Sequence, residues 1–473
     1  MSPNGYQITT KVQRLIQSLM NLGGLTAAFG CYALGPRASR RVGLWIACAL
    51  GIIAISIQIG PTTIGALYAG RFLLGISNGF FLTFSVTYMG EIAPAHLRGS
   101  VVGLVTFHTS LGALIGILIE NYTSLSLERK SYQIPLAVMY PIPVCLAAVL
   151  LILPDTPRYY ISRGQHDAAV ASIQKTRGIK DMDRILTEIR DIQNAWDTEV
   201  ELHKEAHIMD MFRGPDLRRT MITFGCSIGQ TATGVLFLAG YSVYFYIQAK
   251  IGSPFVWVMV GLAIALTGNL GAFPAMRFFG RRPLLLVCSV ISALTMFGMG
   301  IAHDKGTPFA PETGKALVAL SIIFTWVYGF GQGPVLWAIT SETPSQRLRS
   351  QTVGIANGLN FVFGWLCSFC TPYFLNPTAL NWGARYGYIW GGSNLVLALW
   401  VFFFIPETKG RSLEQLDELF ENRVPTWKFP SYETRHHIVD ADKVFEHQTI
   451  GGKPYEVGNE SEKPAHAMRS EYV

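Results

Sequence analysis

Residues 70–99 read Gly70-Arg71, then an uncharged run from Phe72 to Gly90, then Glu91-Ile-Ala-Pro-Ala-His-Leu-Arg98-Gly99. A helix needs about 20 mostly apolar residues to cross a bilayer. This run meets that length and is closed by an acid, a proline and a base. An apolar helix delivered to a short charged turn predicts a membrane span and its loop.

Working outward, the same pattern repeats. About eleven spans are expected, at approximately 15–34, 42–60, 65–89, 101–120, 134–153, 219–247, 254–276, 284–302, 316–340, 352–375 and 385–405. The chain is 50% hydrophobic and 15% charged, against roughly 25% charged in a soluble domain. Too few charges remain to coat a water-facing surface, so lipid is the expected surroundings. The net charge of +7 does not point to nucleic acid, because Lys and Arg sit in short clusters between apolar runs. All seven cysteines fall in or beside those runs, without zinc-ligand spacing; no metal and no cofactor is expected. No secretory leader pattern precedes the first span.

Residues 154–218 are polar and dense in charge, a linker with short amphipathic helices between an N-terminal bundle (1–153, five spans) and a C-terminal bundle (219–405, six spans). The tail, 406–473, is polar and expected to be mostly disordered, except at Ser412 to Glu421. There Leu413, Leu416, Leu419 and Phe420 recur with helical spacing. Arg37, Arg40, Arg41, Arg98, the linker, Arg277, Arg281, Arg282, Arg347 and Arg349 fall on one side. The opposite loops are poorer in Lys and Arg, which makes the basic side, linker and tail cytoplasmic. Asn121-Tyr-Thr123 is a glycosylation acceptor on the outer side.

The halves echo each other. Glu91 to Arg98 pairs with Glu342-Thr-Pro-Ser-Gln-Arg-Leu-Arg349. Gly35-Pro-Arg-Ala-Ser-Arg-Arg41 pairs with Phe279-Gly-Arg-Arg-Pro283. Pro154-Asp-Thr-Pro-Arg158 pairs with Pro406-Glu-Thr-Lys-Gly-Arg411. Two related bundles around a midplane site form a transporter arrangement.

Five ordered motifs make the resemblance specific. Gly70-Arg71-x3-Gly75-x3-Gly79 with Tyr88 to Gly99 is similar to the sugar-porter signature of the major facilitator superfamily. Pro154-Asp-Thr-Pro-Arg-Tyr159, Gly331-Gln-Gly-Pro-Val-Leu-Trp337 and Pro406-Glu-Thr-Lys-Gly410 resemble further motifs of that family. Arg347 to Thr352, Thr371 to Pro377, Asn381-Trp382 and Pro406 to Asp417 resemble fungal α-glucoside (maltose-type) permeases; hexose permeases are the neighbouring possibility. The resemblance implies an all-α membrane fold of two pseudo-symmetric bundles. It also implies transport of a mono- or disaccharide by alternating access, either as symport with protons or as facilitated passage, by a monomer in the plasma membrane.

The chain departs from the pattern. The family has twelve helices, and the first is expected to be missing here. In symporters that helix supplies a carboxylate facing the fourth-helix arginine, here Arg71, and this chain offers no candidate for it. Glu120 lies at an outer end and is read as solvated. Proton-driven accumulation is therefore expected to be weak. Pro36 and Ser39 stand at the Asp and Gly of the family's D-R-x-G-R-R loop, and Arg277 at the Asp of its second-half copy. Only Gln230 remains of the seventh-helix glutamine pair.

A sugar is an uncharged polyol with flat apolar faces, so amides, hydroxyls and aromatic rings suffice to hold it. The candidates are Gln230, Tyr241, Trp337, Asn357, Asn360 and Thr106, with His108 read as a core histidine. Gln230 also reads as a helix–helix contact, and Trp337 as an interfacial anchor. Arg40, Arg41, Glu91, Arg98, Arg281, Arg282, Glu342, Arg347 and Arg349 form a candidate cytoplasmic gate of ion pairs, and Arg71 is the coupling candidate. No nucleophile triad, HExxH or P-loop is present, so an enzyme is not expected. The rival readings are a non-transporting sugar sensor on the same fold and an inactive truncated transporter.

Overall fold

The computed structural model describes residues 9–432 except 35–37, 61–62, 94, 125–127, 179–180, 205–206, 249–251, 307–310 and 412; the side chains of Arg98 and Thr106 are also outside the description. Among the described residues there is no strand. In the first half, α1 is Thr10–Leu34, α2 Arg40–Ile59, α3 Ile64–Ile92, α4 Ala95–Thr123, α5 Lys130–Ala137 and α6 Pro141–Ile152. The linker forms α7 (Pro157–Ser162), α8 (His166–Arg177) and α9 (Met182–Lys204). The second half holds α10 (Gly214–Thr231), α11 (Val235–Gln248), α12 (Pro254–Phe279), α13 (Arg281–Lys305), α14 (Pro311–Val327), α15 (Gly333–Glu342), α16 (Arg349–Leu375) and α17 (Gly387–Phe404). Finally α18 is Leu413–Glu421.

Nine segments among the described residues are long and apolar enough to cross a membrane. The helices α1 and α4, of 25 and 29 residues, are long enough but fall outside that nine. With them, each of the eleven expected spans has its helix.

Two expected spans are broken, for local reasons. Residues 134–153 divide into α5 and α6, because Pro141 has no N–H to offer the Ala137 carbonyl one turn back. Residues 219–247 divide into α10 and α11 around Gly234, whose φ is +90°. The Trp390 ring lies 2.7 Å from where a Cβ on Gly234 would stand, so conformation and space both require glycine. A third, 316–340, carries a π-helical turn at Tyr328–Gln332, an element that clusters at functional sites.

In the first half α3 packs against α1 and α2 around Ala27, Leu44, Cys48, Phe80, Phe84 and Leu150. A Cβ on Gly23 would strike the Phe72 carbonyl, and one on Gly75 the Met20 carbonyl. Small residues let α1 and α3 approach this closely. The second half has two larger cores, one around Leu285, Val335, Leu336, Ile339 and Val401, the other around Phe237, Met296, Phe324 and Tyr386. The halves meet along α1–α16 and α4–α12.

The linker helices bury their own small core of Ile161, Ala169, Ile173, Ile185 and Ile189. The tail forms the expected helix at Leu413–Glu421 and departs from expectation from there to residue 432. Leu416, Leu419, Phe420, Val424 and Phe429 are buried on the second-half core, and Arg219, 2% exposed, bonds the Asp417 carboxylate and carbonyl. Apolar burial outweighs the polar average of the segment. The rest of the tail lies outside the described residues.

Candidate functional site

The repeated charged motifs build the same clasp twice. In the first half, Arg40 of α2 pairs with Glu91 of α3 at 3.0 Å, and Glu91 accepts from Thr156 Oγ1 at 2.5 Å. In the second, Arg281 of α13 pairs with Glu342 of α15 at 3.0 Å, and Glu342 accepts from Thr408 Oγ1 at 2.8 Å. Each clasp ties two spans to the strand of chain that follows the bundle. Charge-assisted bonds of this kind are the strong ones.

One position separates the clasps. Before Arg40 stands Ser39, whose hydroxyl accepts from the Val42 amide at 3.1 Å and caps α2. Before Arg281 stands Gly280, at φ +89°. A Cβ there would lie 2.6 Å from Glu407 Oε2. Glu407 takes that space and accepts from the Arg281 and Arg282 amides at 2.9 and 3.0 Å. A carboxylate at a helix N-terminus is favourable. Ser39, a departure from the family loop, thus replaces a distant cap with a local one.

The remaining gate candidates divide. Arg41 donates to the Leu150 and Leu151 carbonyls, and Arg282 to the Phe402 carbonyl at 2.7 Å. Arg347 pairs with Asp216 at 2.9 Å and Asp210 at 3.5 Å, joining the linker to α16. Arg349 points at the Pro344 carbonyl, 3.5 Å away. The Arg98 side chain is not described. Among the described residues, the ion pairs of both clasps lie within a half rather than across the two.

Deeper in the second half is a network of uncharged groups. Gln230 on α10 is 3% exposed. Its Nε2 donates to the Gly333 carbonyl at 2.7 Å, and its Oε1 accepts from Tyr328 OH at 2.8 Å. Gln332 donates to Asn394 Oδ1 at 2.7 Å and accepts from Ser292 Oγ at 3.0 Å. Asn394 donates to the Thr233 and Trp390 carbonyls, both at 2.8 Å. Tyr328 and Gln332 are the two ends of the π-helical turn, so that turn is pinned at both ends. Sequence reading missed Tyr328, Gln332 and Asn394; the π turn has no signature in one sequence.

Asn357 on α16 lies beside Ala356, whose carbonyl accepts from Ser227 on α10 at 2.7 Å. Its Oδ1 is buried with no donor among the described residues. Trp337, on α15, is 40% exposed. The structure therefore puts Gln230, Trp337 and Asn357 on three mutually packed helices, α10, α15 and α16. Tyr241 lies beyond the Gly234 break, in the aromatic core with Phe237, Tyr386 and Trp390, and its hydroxyl has no partner among the described residues. Asn360 is half-buried on α16. His108 is exposed and edge-on to Phe107, so the core reading does not hold for it. Thr106 is outside the described side chains.

Across the seam between halves the contacts are again mostly uncharged. Asn21 of α1 donates to Ser368 Oγ at 3.0 Å and to the Gly364 carbonyl at 3.3 Å. Asn269 of α12 donates to Ser110 of α4 at 2.7 Å.

The arrangement has counterparts in known proteins. The family described as "Sugar (and other) transporter" matches residues 2–420. The major facilitator-type transporter ecdD of Aspergillus rugulosus is 28% identical over 433 residues, covering 87% of this chain and 78% of that protein. The alpha-glucosides permease MPH3 of Saccharomyces cerevisiae is 28% identical over 389 residues, covering 80% of this chain and 64% of the permease. Among solved structures, the inward-open xylose transporter XylE of E. coli superposes with a TM-score of 0.73 at 20% identity, over 88% of this chain and 92% of XylE. With the family matched from residue 2 to residue 420, its fold reproduced and its motifs found as paired clasps, this chain belongs to the sugar transporter family of the major facilitator superfamily.

Proposed function

We propose that this chain carries an uncharged sugar, a mono- or disaccharide, across a membrane by alternating access of its two halves. The observation that carries the reading is the chemistry between the halves. Amides and hydroxyls line the contacts of α1 with α16 and α4 with α12, and the Gln230 network stands behind them. Apart from Arg14 of α1, whose guanidinium is spent on the Phe369 carbonyl at 3.2 Å and on the Phe369 ring, the donors and acceptors there are uncharged, which suits a polyol. XylE carries xylose and MPH3 is named for alpha-glucosides, which brackets the size of ligand.

In this reading Gln230, Trp337, Asn357 and Asn360 face the sugar from the second half, with Thr106 opposite and Tyr241 deeper. The π-helical turn lets α14 and α15 bend against each other as the halves rock, because a π turn adds a residue without breaking the helix. The clasps keep each half rigid, and Arg347 ties the second half to the linker. The linker and tail are cytoplasmic, Asn121 faces outside, and the protein sits as a monomer in the plasma membrane.

The test is uptake of labelled sugars in a yeast host lacking its own transporters. Gln230→Ala leaves the Gly333 carbonyl and the Tyr328 hydroxyl without their partner. It is expected to weaken apparent affinity by about 1–3 kcal/mol with surface expression retained. Unchanged affinity for every transported sugar removes Gln230 from the site.

The sensor reading has one observation in its favour. The helix that carries Gln230 also holds the tail, since Arg218 donates to the Val424 carbonyl at 2.7 Å and to Thr426 at 2.8 Å. Sugar binding without sugar flux would select it.

A further inference from the structure

The hydrogen bonds from α1 to α16 and the loop after it run along the half of α1 that lies away from the linker. The clasp end of α1 is Leu34, which leads into α2 at Arg40, so Thr10 lies at the other end. There Thr10 Oγ1 meets Thr378 Oγ1 at 3.3 Å, and Asn376 Nδ2 donates to Thr10 Oγ1 and Gln13 Oε1 at 2.9 and 3.0 Å. Arg14 follows one turn on, about 6 Å along the helix. Its Nε donates to the Phe369 carbonyl at 3.2 Å. Its guanidinium carbon stands 3.9 Å from the centre of the Phe369 ring and 6.0 Å from that of Tyr373. Phe369 stacks in turn on Trp365 at 5.4 Å. Further in, Asn21 bonds Ser368 and the Gly364 carbonyl.

No acid answers Arg14 on the elements that form this seam. The sequences of α1, α16 and residues 376–382 contain no Asp or Glu, and Lys11, the other cation of α1, is exposed. A guanidinium is weakly hydrated and settles on an aromatic face without a counter-ion. Such a contact biases two packed surfaces and still releases when water reaches it. The charged clasps lie each within a half, at the linker end. Arg14 and Phe369 belong to different halves, so their contact exists only while the halves are together at the opposite end.

We propose that Arg14 is the latch of the face away from the linker: its guanidinium on Phe369 and Tyr373 holds α1 against α16, and the protein opens to that face by releasing it. The inference rests on the transport reading above, in which that face is the outer one. Thr10, Gln13 and Asn376 seal the rim beyond the latch, and Asn21 with Ser368 closes the seam beneath it.

The test reads how often the seam opens. Ser368, 9% exposed, is replaced by cysteine, the purified full chain is treated with a maleimide, and labelling at position 368 is followed by mass spectrometry. Losing one cation–π contact shifts a two-state balance by about two- to thirtyfold. In the S368C background, Arg14→Gln and Phe369→Leu are each expected to speed labelling by such a factor, and Arg14→Lys by less. The two changes combined are expected to give no more than R14Q alone, because they remove the same contact. Cys226, 0% exposed in the second-half core, reports general loosening and is expected to keep its wild-type rate. Unchanged labelling in R14Q and F369L, or a matching rise at Cys226, overturns the latch. Thr10→Cys with Thr378→Cys supplies the complementary lock: oxidation is expected to stop sugar uptake in cells and reduction to restore it. Uptake that continues through the closed cross-link overturns the proposal. A wild type that moves no sugar removes the transport reading, while the labelling rates still judge the latch.

Discussion

The two halves share a clasp and differ in the interior behind it. Arg40–Glu91–Thr156 and Arg281–Glu342–Thr408 superpose residue for residue in role. Behind the second clasp, the amides of Gln230, Gln332 and Asn394 form a network with Tyr328, Ser292 and backbone carbonyls. Behind the first, Gln58 and Arg71 keep polar atoms without partners among the described residues, as Tyr241 and Asn357 do in the second half outside the network. The repeat thus conserves the charged ends of the bundle and lets the middle diverge. The second half is built to hold amides in fixed positions.

That contrast predicts an order of effects. The largest belongs to Asn394→Leu. Asn394 is fully buried, and its loss takes the donor from the Thr233 carbonyl and leaves Gln332 Nε2 only the long bond to Ser289 Oγ at 3.4 Å, at about 1–3 kcal/mol for a group left unpaired. A thermal unfolding scan of the purified protein is expected to show a fall of several degrees. A shift no larger than that of a surface substitution breaks the claim that the network is closed.

Next come the clasps. Glu91→Gln and Glu342→Gln each turn a charge-assisted pair into a neutral contact, at about 1–2 kcal/mol. Because the clasps match, the two variants are expected to agree within about 1 kcal/mol in stability. A difference well beyond that shows the halves are not equivalent at this end. The added Glu407 cap sharpens the point. Glu407→Ala is expected to cost about 0.5–2 kcal/mol, whereas Ser39→Ala costs as much in the first half through a purely local bond.

The smallest effect is the most diagnostic. Gln58 is 4% exposed, and its Oε1 already lacks a donor, so Gln58→Leu removes an unsatisfied group. The expected change in stability is within about 1 kcal/mol and of either sign. A large loss reveals a partner for Gln58 and narrows the difference between the halves.

Much of this was legible in the sequence, for reasons that separate cleanly. Span positions follow from run length alone, and the eleven expected runs each meet a helix. The clasp members were readable because the charged motifs occur twice. Their pairing was not, since Arg40 and Glu91 are 51 residues apart and nothing in the pattern says which acid meets which base. The breaks at Pro141 and Gly234 depend on what packs against them, as the Trp390 ring shows. Gln230 was singled out as a site residue, but its partners Tyr328 and Gly333 lie about 100 residues away. Glu120, read as a solvated acid at an outer end, is exposed in the structure. In the tail the leucine spacing predicted the helix that forms at Leu413–Glu421, whereas the stretch from 422 to 432 was misread from its average polarity, since Val424 and Phe429 are buried on the second-half core.

The central claim is that this chain moves sugar by exposing one site alternately to two sides. The most direct measurement is counterflow: liposomes holding purified protein are loaded with unlabelled sugar, diluted, and offered labelled sugar, over a panel from pentoses to α-glucosides. The account predicts a transient, trans-stimulated accumulation of at least one member, abolished when the internal sugar is omitted and weakened in Gln230→Ala. Saturable binding of a sugar by the same protein with no counterflow of any member would contradict it.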